Sequence, residues 1–297
     1  MAALERNRPI MFGNIPETYQ LNKINKPVRA LRWRKSLSLI SVFIFVLSSV
    51  FFSIRLFEYY AAKQEYSAYQ EDIATSSLIV LKPTVEPTHV MASVVKSEPN
   101  ANKPSEKTHA YYGEIVALKS QNSQTIGWLD VSGTNIQYPV VQASDNDYYT
   151  NHTFAGRRNA SGAIFLDYRS SDTLSDSCII IYGHNMKDGS MFHELRKYER
   201  NSFLRKNNEI VLTGINEQKV FRVFAAFSCS SDEILLGSNS FTKNEKEWML
   251  ARIRARTVIN KNGVFPDSDD QLIALITCVG DSAKNYWIVY GYHSTNL

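Results

Sequence analysis

The chain has 297 residues, 44% hydrophobic and 21% charged, with a formal net charge of +4. This balance excludes a wholly disordered chain and a protein of many membrane spans, and the length accommodates one large domain or two ordinary ones. The charge is unevenly placed: residues 1–35 carry eight Lys/Arg against two Glu, so the remainder sums to −2, which disfavours a nucleic-acid-binding body.

Residues 36–54 hold no charge and are bracketed by Lys35 and Arg55. As a helix at about 1.5 Å per residue they reach roughly 28 Å, close to the thickness of the hydrocarbon core. The run begins too late, and exits without the small-residue site, for a cleaved signal peptide. The expectation is a single transmembrane anchor over 36–57, with Phe57, Tyr59 and Tyr60 at its outer interface. The basic segment 1–35 then stays in the cytoplasm, and everything beyond the anchor lies outside the cell membrane. Residues 61–78 can continue as a polar helix, whereas 79–108 carry Pro83, Pro87, Pro99 and Pro104 among polar residues and read as a linker. Residues 58–107 are therefore expected to form an extracellular stalk, and 108–297 the folded domain.

Within that domain, apolar spacing predicts a helix over 111–119. Strands follow at 127–130, 136–141, 163–167, 178–182, 209–213, 219–228, 271–277 and 286–292, each rich in Ile, Val, Phe or Tyr and bounded by Gly, Asn, Asp or Ser. Further helices are predicted over 191–198 and 245–259, the latter with Trp248, Met249, Ile253 and Val258 on one stripe. The fold class is mainly β: a closed or nearly closed barrel of about eight strands with peripheral helices.

Three cysteines, at 178, 229 and 278, cannot all pair, and their spacing matches no zinc site. Neither a metal-ligand cluster nor a phosphate-binding loop is legible, so no metal or cofactor is expected. Two apolar strands end in chemistry-bearing residues. One runs Ile179-Ile180-Ile181-Tyr182-Gly183-His184, the other Leu275-Ile276-Thr277-Cys278. Strand ends present side chains to clefts, and a base beside a thiol raises its thiolate fraction. Cys178 and Cys229 read as small hydrophobes, and His152, His193 and His293 as solvated or capping groups.

The segment from Tyr111 to Tyr292 resembles the class B sortases, membrane-anchored cysteine transpeptidases of Gram-positive bacteria. The resemblance rests on Gly127-Trp128-Leu129, Ile136-Gln137-Tyr138-Pro139-Val140 and Asp145-Asn146-Asp147-Tyr148-Tyr149, then Ser-Gly-Ala-Ile-Phe-Leu-Asp-Tyr-Arg over 161–169. Tyr182-Gly183-His184-Asn185-Met186 and the late Thr277-Cys278 complete it. It implies a sortase-type β-barrel with N-terminal helices, Cys278 as nucleophile and His184 as general acid/base. Cleavage would fall at a sorting motif near the C-terminus of a secreted protein, and the acyl group would pass to an amine on a peptidoglycan precursor or a pilin lysine. Asn146, Thr150, Ser231, Leu235 and Leu236 match the family's substrate-cleft loops.

One departure stands out. The family carries an active-site Arg about ten residues after the Cys, and this chain has no Arg beyond Arg256. Trp287 is expected at the matching slot, facing the cleft, with Lys284, Tyr290 or Trp287 itself as possible replacements. The missing Arg leaves two other readings open: a catalytically weak sortase-like scaffold, and a cysteine hydrolase in which water resolves the acyl enzyme.

Overall fold

The computed structural model describes residues 28–80, 106–230, 240–260, 263–279 and 282–294, with side chains described for 37–73, 113–230, 240–260, 263–277 and 285–294. The chain divides into two units, Met1–Ile54 and Arg55–Leu297. In the first, helix α1 (Val28–Val80) begins, and its side chains at 37–54 are all exposed. Leu37–Ile73 contains a stretch of mean hydropathy 2.5, long and apolar enough to cross a membrane.

The second unit is a closed mixed barrel. Its strands are β1 (Thr125–Val131), β2 (Gln137–Val141), β3 (Ile164–Leu166), β4 (Cys178–Tyr182), β5 (Glu209–Gly214), β6 (Gln218–Ser230), β7 (Gln271–Val279) and β8 (Ser282–His293). They close in the order β1-β2-β3-β4-β7-β8-β6-β5. The β2–β3 and β4–β7 pairs are parallel and the others antiparallel. Each expected strand is present. Closure removes the exposed edges that an open sheet of Ile- and Val-rich strands would present.

Helix α2 (Glu106–Gln121) is longer than the 111–119 expected and buries Ile115 and Leu118. The 191–198 segment is a 3-10 helix, His193–Glu199, followed by a single helical turn, α3 (Asn201–Leu204). Helix α4 (Lys243–Arg256) covers a second apolar core that includes Ile180, Phe224, Ala274 and Ile288. Its buried stripe is Lys246, Met249, Leu250 and Ile253, at i, i+3, i+4 and i+7. Trp248 and Val258, expected on that stripe, are 57% and 45% exposed. Lys246 takes the buried place because its ammonium donates to the Asp270 carbonyl.

The expected stalk divides. Helix α1 runs on to Val80, and within the second unit Ala62 and Tyr66 are buried while Tyr69 and Ile73 pack against its core. Their spacing of 62, 66, 69 and 73 is that of one helical face. Residues 58–73 therefore belong to the barrel's packing. Residues 81–105 lie outside the described part of the chain.

Candidate active site

The parallel register of β4 and β7 sets Tyr182 beside Ile276, and the Gly183 N–H donates to the Ile276 carbonyl at 3.1 Å. Two residues further, one strand leads to His184, just past its end, and the other reaches Cys278, still paired in β7, so the two expected catalytic positions stand at the same end of the barrel. A side chain at Gly183 would force its neighbours to move: a Cβ there would lie 2.4 Å from Ile164 Cδ1 and 2.9 Å from the Phe192 ring. The His184 carbonyl accepts from the Phe192 N–H at 2.8 Å, which holds the backbone of the turn.

The imidazole is anchored by a peptide group. His184 Nε2 donates to the Thr150 carbonyl oxygen at 2.6 Å. A carbonyl only accepts, so the proton sits on Nε2 and Nδ1 keeps the basic lone pair. The carbonyl is itself fixed by the 3-10 turn Tyr148–Thr150, whose start is capped by Asp145 Oδ1 accepting from the Asp147 and Tyr148 N–H groups, both at 2.8 Å. Gly162 closes against this turn at φ +59, where a Cβ would meet the Tyr149 and Thr150 carbonyl oxygens at 2.5 and 2.8 Å. Only glycine combines that backbone conformation with that approach.

Asn146, Thr150, Tyr182, His184, Thr277 and Tyr286 line a cleft of about 360 Å³. Beneath it lies the fully buried carboxylate of Asp167. Arg169 clamps it through Nε at 2.9 Å and a terminal nitrogen at 2.8 Å, while Asn146 Nδ2 and the Tyr182 hydroxyl donate to it at 3.1 and 3.0 Å. Burial alone pushes this carboxyl up. The Arg169, Asn146 and Tyr182 hydrogen bonds outweigh that and hold it down at about 2. Two walls of the cleft thus hang on one buried carboxylate, paired with an exposed arginine. Thr277 is 2% exposed, and its hydroxyl has no hydrogen-bond partner among the described residues.

Of the expected substrate contacts, Asn146 and Thr150 stand on the cleft, and Thr150 touches His184 through its main chain. Ser231, Leu235 and Leu236 lie outside the described residues. Cys278 occupies β7 directly opposite Tyr286 of β8. Trp287 does not face the cleft as expected. It is 5% exposed in the main core, and its indole N–H donates to the Leu195 carbonyl at 3.0 Å. Strand parity explains the correction: Tyr286 lines the cleft, so its successor turns to the opposite face. Tyr290 is fully buried in the core under α4, away from the cleft, and so does not replace the Arg there. Lys284 lies in β8 with its side chain among those not described. Sequence reasoning missed Tyr182, Tyr286 and Asp167; the register of the β7–β8 pair was the signal needed for Tyr286.

Among the described side chains, the other cysteines and histidines lie elsewhere. Cys178 and Cys229 are buried, and desolvation pushes the Cys178 thiol up to about 12. His152, His193 and His293 bond through Nδ1 to the Tyr148 carbonyl, the Asn185 side chain and the Val220 carbonyl respectively.

The chain is similar to known proteins in sequence and in fold. The Sortase domain model matches residues 129–294. Sortase B of Listeria monocytogenes is 35% identical over 174 residues, covering 58% of this chain and 69% of that protein. Among solved structures, sortase B of Clostridium perfringens superposes with a TM-score of 0.57 at 28% identity, covering 60% of this chain and 98% of the other. The Staphylococcus aureus sortase B–substrate complex gives 0.58 at 25% identity, covering 63% and 87%.

Proposed function

The chain belongs to the sortase family, within class B, and from that premise we propose that it is a membrane-anchored transpeptidase with Cys278 as nucleophile and His184 as general acid/base. The observation that carries the reading is the imidazole fixed by the Thr150 carbonyl, with Nδ1 left basic, at the barrel end where β7 brings Cys278.

The Cys278 thiol gives its proton to His184 Nδ1, and the thiolate so formed attacks the threonine carbonyl carbon of a sorting motif near the C-terminus of a secreted protein. A C–S bond forms and the carbonyl electrons move to oxygen. When the tetrahedral species collapses, the C–N bond breaks and the leaving amine takes a proton from His184. An acceptor amine then attacks the thioacyl carbon, gives its proton to His184 and releases the thiolate. Splitting amide exchange in this way requires a nucleophile and a proton shuttle held in place.

The anchor at 36–57 holds the enzyme in the cell membrane, with the basic tail 1–35 in the cytoplasm and the barrel outside. Its substrates are secreted proteins. Its acceptor is an amine of a peptidoglycan precursor, with a pilin lysine as the variant that would make it a polymerase. The test uses the full chain in detergent, a library of peptides with a fixed threonine, and triglycine as acceptor. Mass spectrometry should find the N-terminal fragment joined to triglycine. Hydrolysed fragment alone at saturating triglycine would make it a hydrolase, and no cleavage of any library peptide would make it a scaffold.

A further inference from the structure

Tyr66 is buried where α1 meets the barrel, and it reaches His184 by two routes. Its hydroxyl donates to the Gly162 carbonyl at 2.7 Å and accepts from the Phe154 N–H at 3.1 Å. The Gly162 carbonyl and the Ala163 N–H belong to one planar peptide unit, and that N–H donates to the Tyr149 carbonyl at 3.0 Å. The next carbonyl along the chain is that of Thr150, which accepts from His184 Nε2. On the second route the Tyr66 ring meets the Tyr138 ring edge-on, with centroids 5.4 Å apart, and the Tyr138 hydroxyl accepts from the Met191 N–H at 3.0 Å. The adjoining Phe192 N–H holds the His184 carbonyl at 2.8 Å. Both the imidazole and the main chain of His184 are therefore backed by the same phenol. A catalytic group displaced by about 1 Å can lose about 10²-fold in rate, so such backing bears on chemistry as well as on stability.

Resting on the transpeptidase reading above for its effect on rate, we infer that Tyr66 is a positioning residue for His184. Its hydroxyl fixes the Gly162–Ala163 peptide, that peptide fixes the Tyr148–Thr150 turn, and the turn keeps the imidazole proton on Nε2 and the basic lone pair on Nδ1. Tyr66 transfers no proton and touches no reacting atom. Its neighbour Glu65 supplies the contrast. The Glu65 carboxylate accepts from the Ala155 N–H at 3.0 Å and from the Thr153 hydroxyl at 3.2 Å, so its loss loosens α1 on the barrel without cutting the bond to Gly162.

The test compares the full chain in detergent with its Tyr66→Phe and Glu65→Ala variants by two readings. The first is steady-state kinetics with the library peptide that the wild type cleaves fastest and triglycine. The second is the nitrogen NMR spectrum of chain labelled with 15N-histidine, in which the His184 signals are those that vanish in His184→Ala. Tyr66→Phe should lower kcat about tenfold or more while moving KM by less than about threefold. Its neutral His184 should leave the Nε2–H pattern of the wild type for that of exchanging tautomers. Glu65→Ala should keep kcat within about twofold and keep the wild-type tautomer, however much stability it loses. A folded Tyr66→Phe that retains either the wild-type kcat or the wild-type tautomer overturns the inference, because a merely structural tyrosine moves neither. Equal changes in Glu65→Ala overturn it as well, since they would place the effect in the docking of α1 and not in the hydroxyl. Should Tyr66→Phe not fold, 4-fluorophenylalanine introduced at position 66, which fills the hydroxyl's place and donates no proton, gives the same two readings. A wild type that cleaves no peptide refutes the transpeptidase reading itself, and the tautomer alone then decides whether Tyr66 positions His184.

Discussion

The Thr150 carbonyl and the His184 imidazole share a 2.6 Å hydrogen bond that sets the histidine's tautomer through a main-chain atom. Exchanging the Thr150 side chain leaves that atom in place. Thr150→Ala should therefore lose far less activity than His184→Ala, for which a drop in kcat of about 10²–10⁴-fold is expected. Parallel kcat/KM measurements with one peptide check this. Equal losses in the two variants would mean that the Thr150 side chain matters to the chemistry.

Helix α1 is the second support of the same turn. The Tyr66 hydroxyl donates to the Gly162 carbonyl at 2.7 Å and accepts from the Phe154 N–H at 3.1 Å. The neighbouring Glu65 carboxylate accepts from the Ala155 N–H at 3.0 Å and pairs with Arg157. Removing the Tyr66 hydroxyl leaves a buried N–H and a buried carbonyl short of a partner, a cost of about 1–3 kcal/mol. Urea melts should show that loss in Tyr66→Phe. A chain beginning at residue 55 should unfold at higher urea than one beginning at 108, and equal midpoints would restore the stalk expected for 58–73.

Asp167 makes a pH prediction with a definite sign. Its carboxyl sits at about 2 in the folded chain, below the roughly 3.9 of a free aspartate, so the stability it contributes is complete above about pH 5 and is lost as pH falls through 4 towards 2. Asp167→Asn should flatten the fall in stability between pH 5 and 2 and cost about 1–2 kcal/mol at neutral pH. Because Arg169 is 36% exposed, water can take over part of its solvation, which limits that cost. Activity should fall as well, since Asn146 and Tyr182 lose their common anchor. An unchanged acid slope in Asp167→Asn would show that another group dominates acid unfolding.

Much of this was readable from residue order. Runs such as Cys178–Tyr182 and Gln271–Val279 are apolar, β-branched and sharply bounded, so their identity as strands is local information. Which of them pair, and in what register, is not. Trp287 and Tyr286 differ by one position, and a slip of one residue exchanges the two faces of a strand. The β7–β8 pair also shifts register between Cys278 and Val279, which no local pattern announces. Residues 58–73 look like a solvated helix because Glu58, Lys63, Gln64, Glu65, Ser67, Gln70, Glu71 and Asp72 make up half of them. The face made by Ala62, Tyr66, Tyr69 and Ile73 gains meaning only when the barrel is there to cover it. Asp167 reads as a turn residue until Arg169, Asn146 and Tyr182 converge on it.

Covalent capture tests the chemistry most directly. The full chain in detergent is mixed with the fastest-cleaved peptide, quenched in acid before any amine is added, and weighed intact. The mass should rise by that of the N-terminal peptide fragment, and the adduct should map to Cys278 and disappear with hydroxylamine. It should be absent in Cys278→Ala and persist in Cys178→Ala and Cys229→Ala, whose parent thiols are buried. An adduct on Cys178 or Cys229, or one that survives Cys278→Ala, would contradict the assignment of Cys278 as nucleophile.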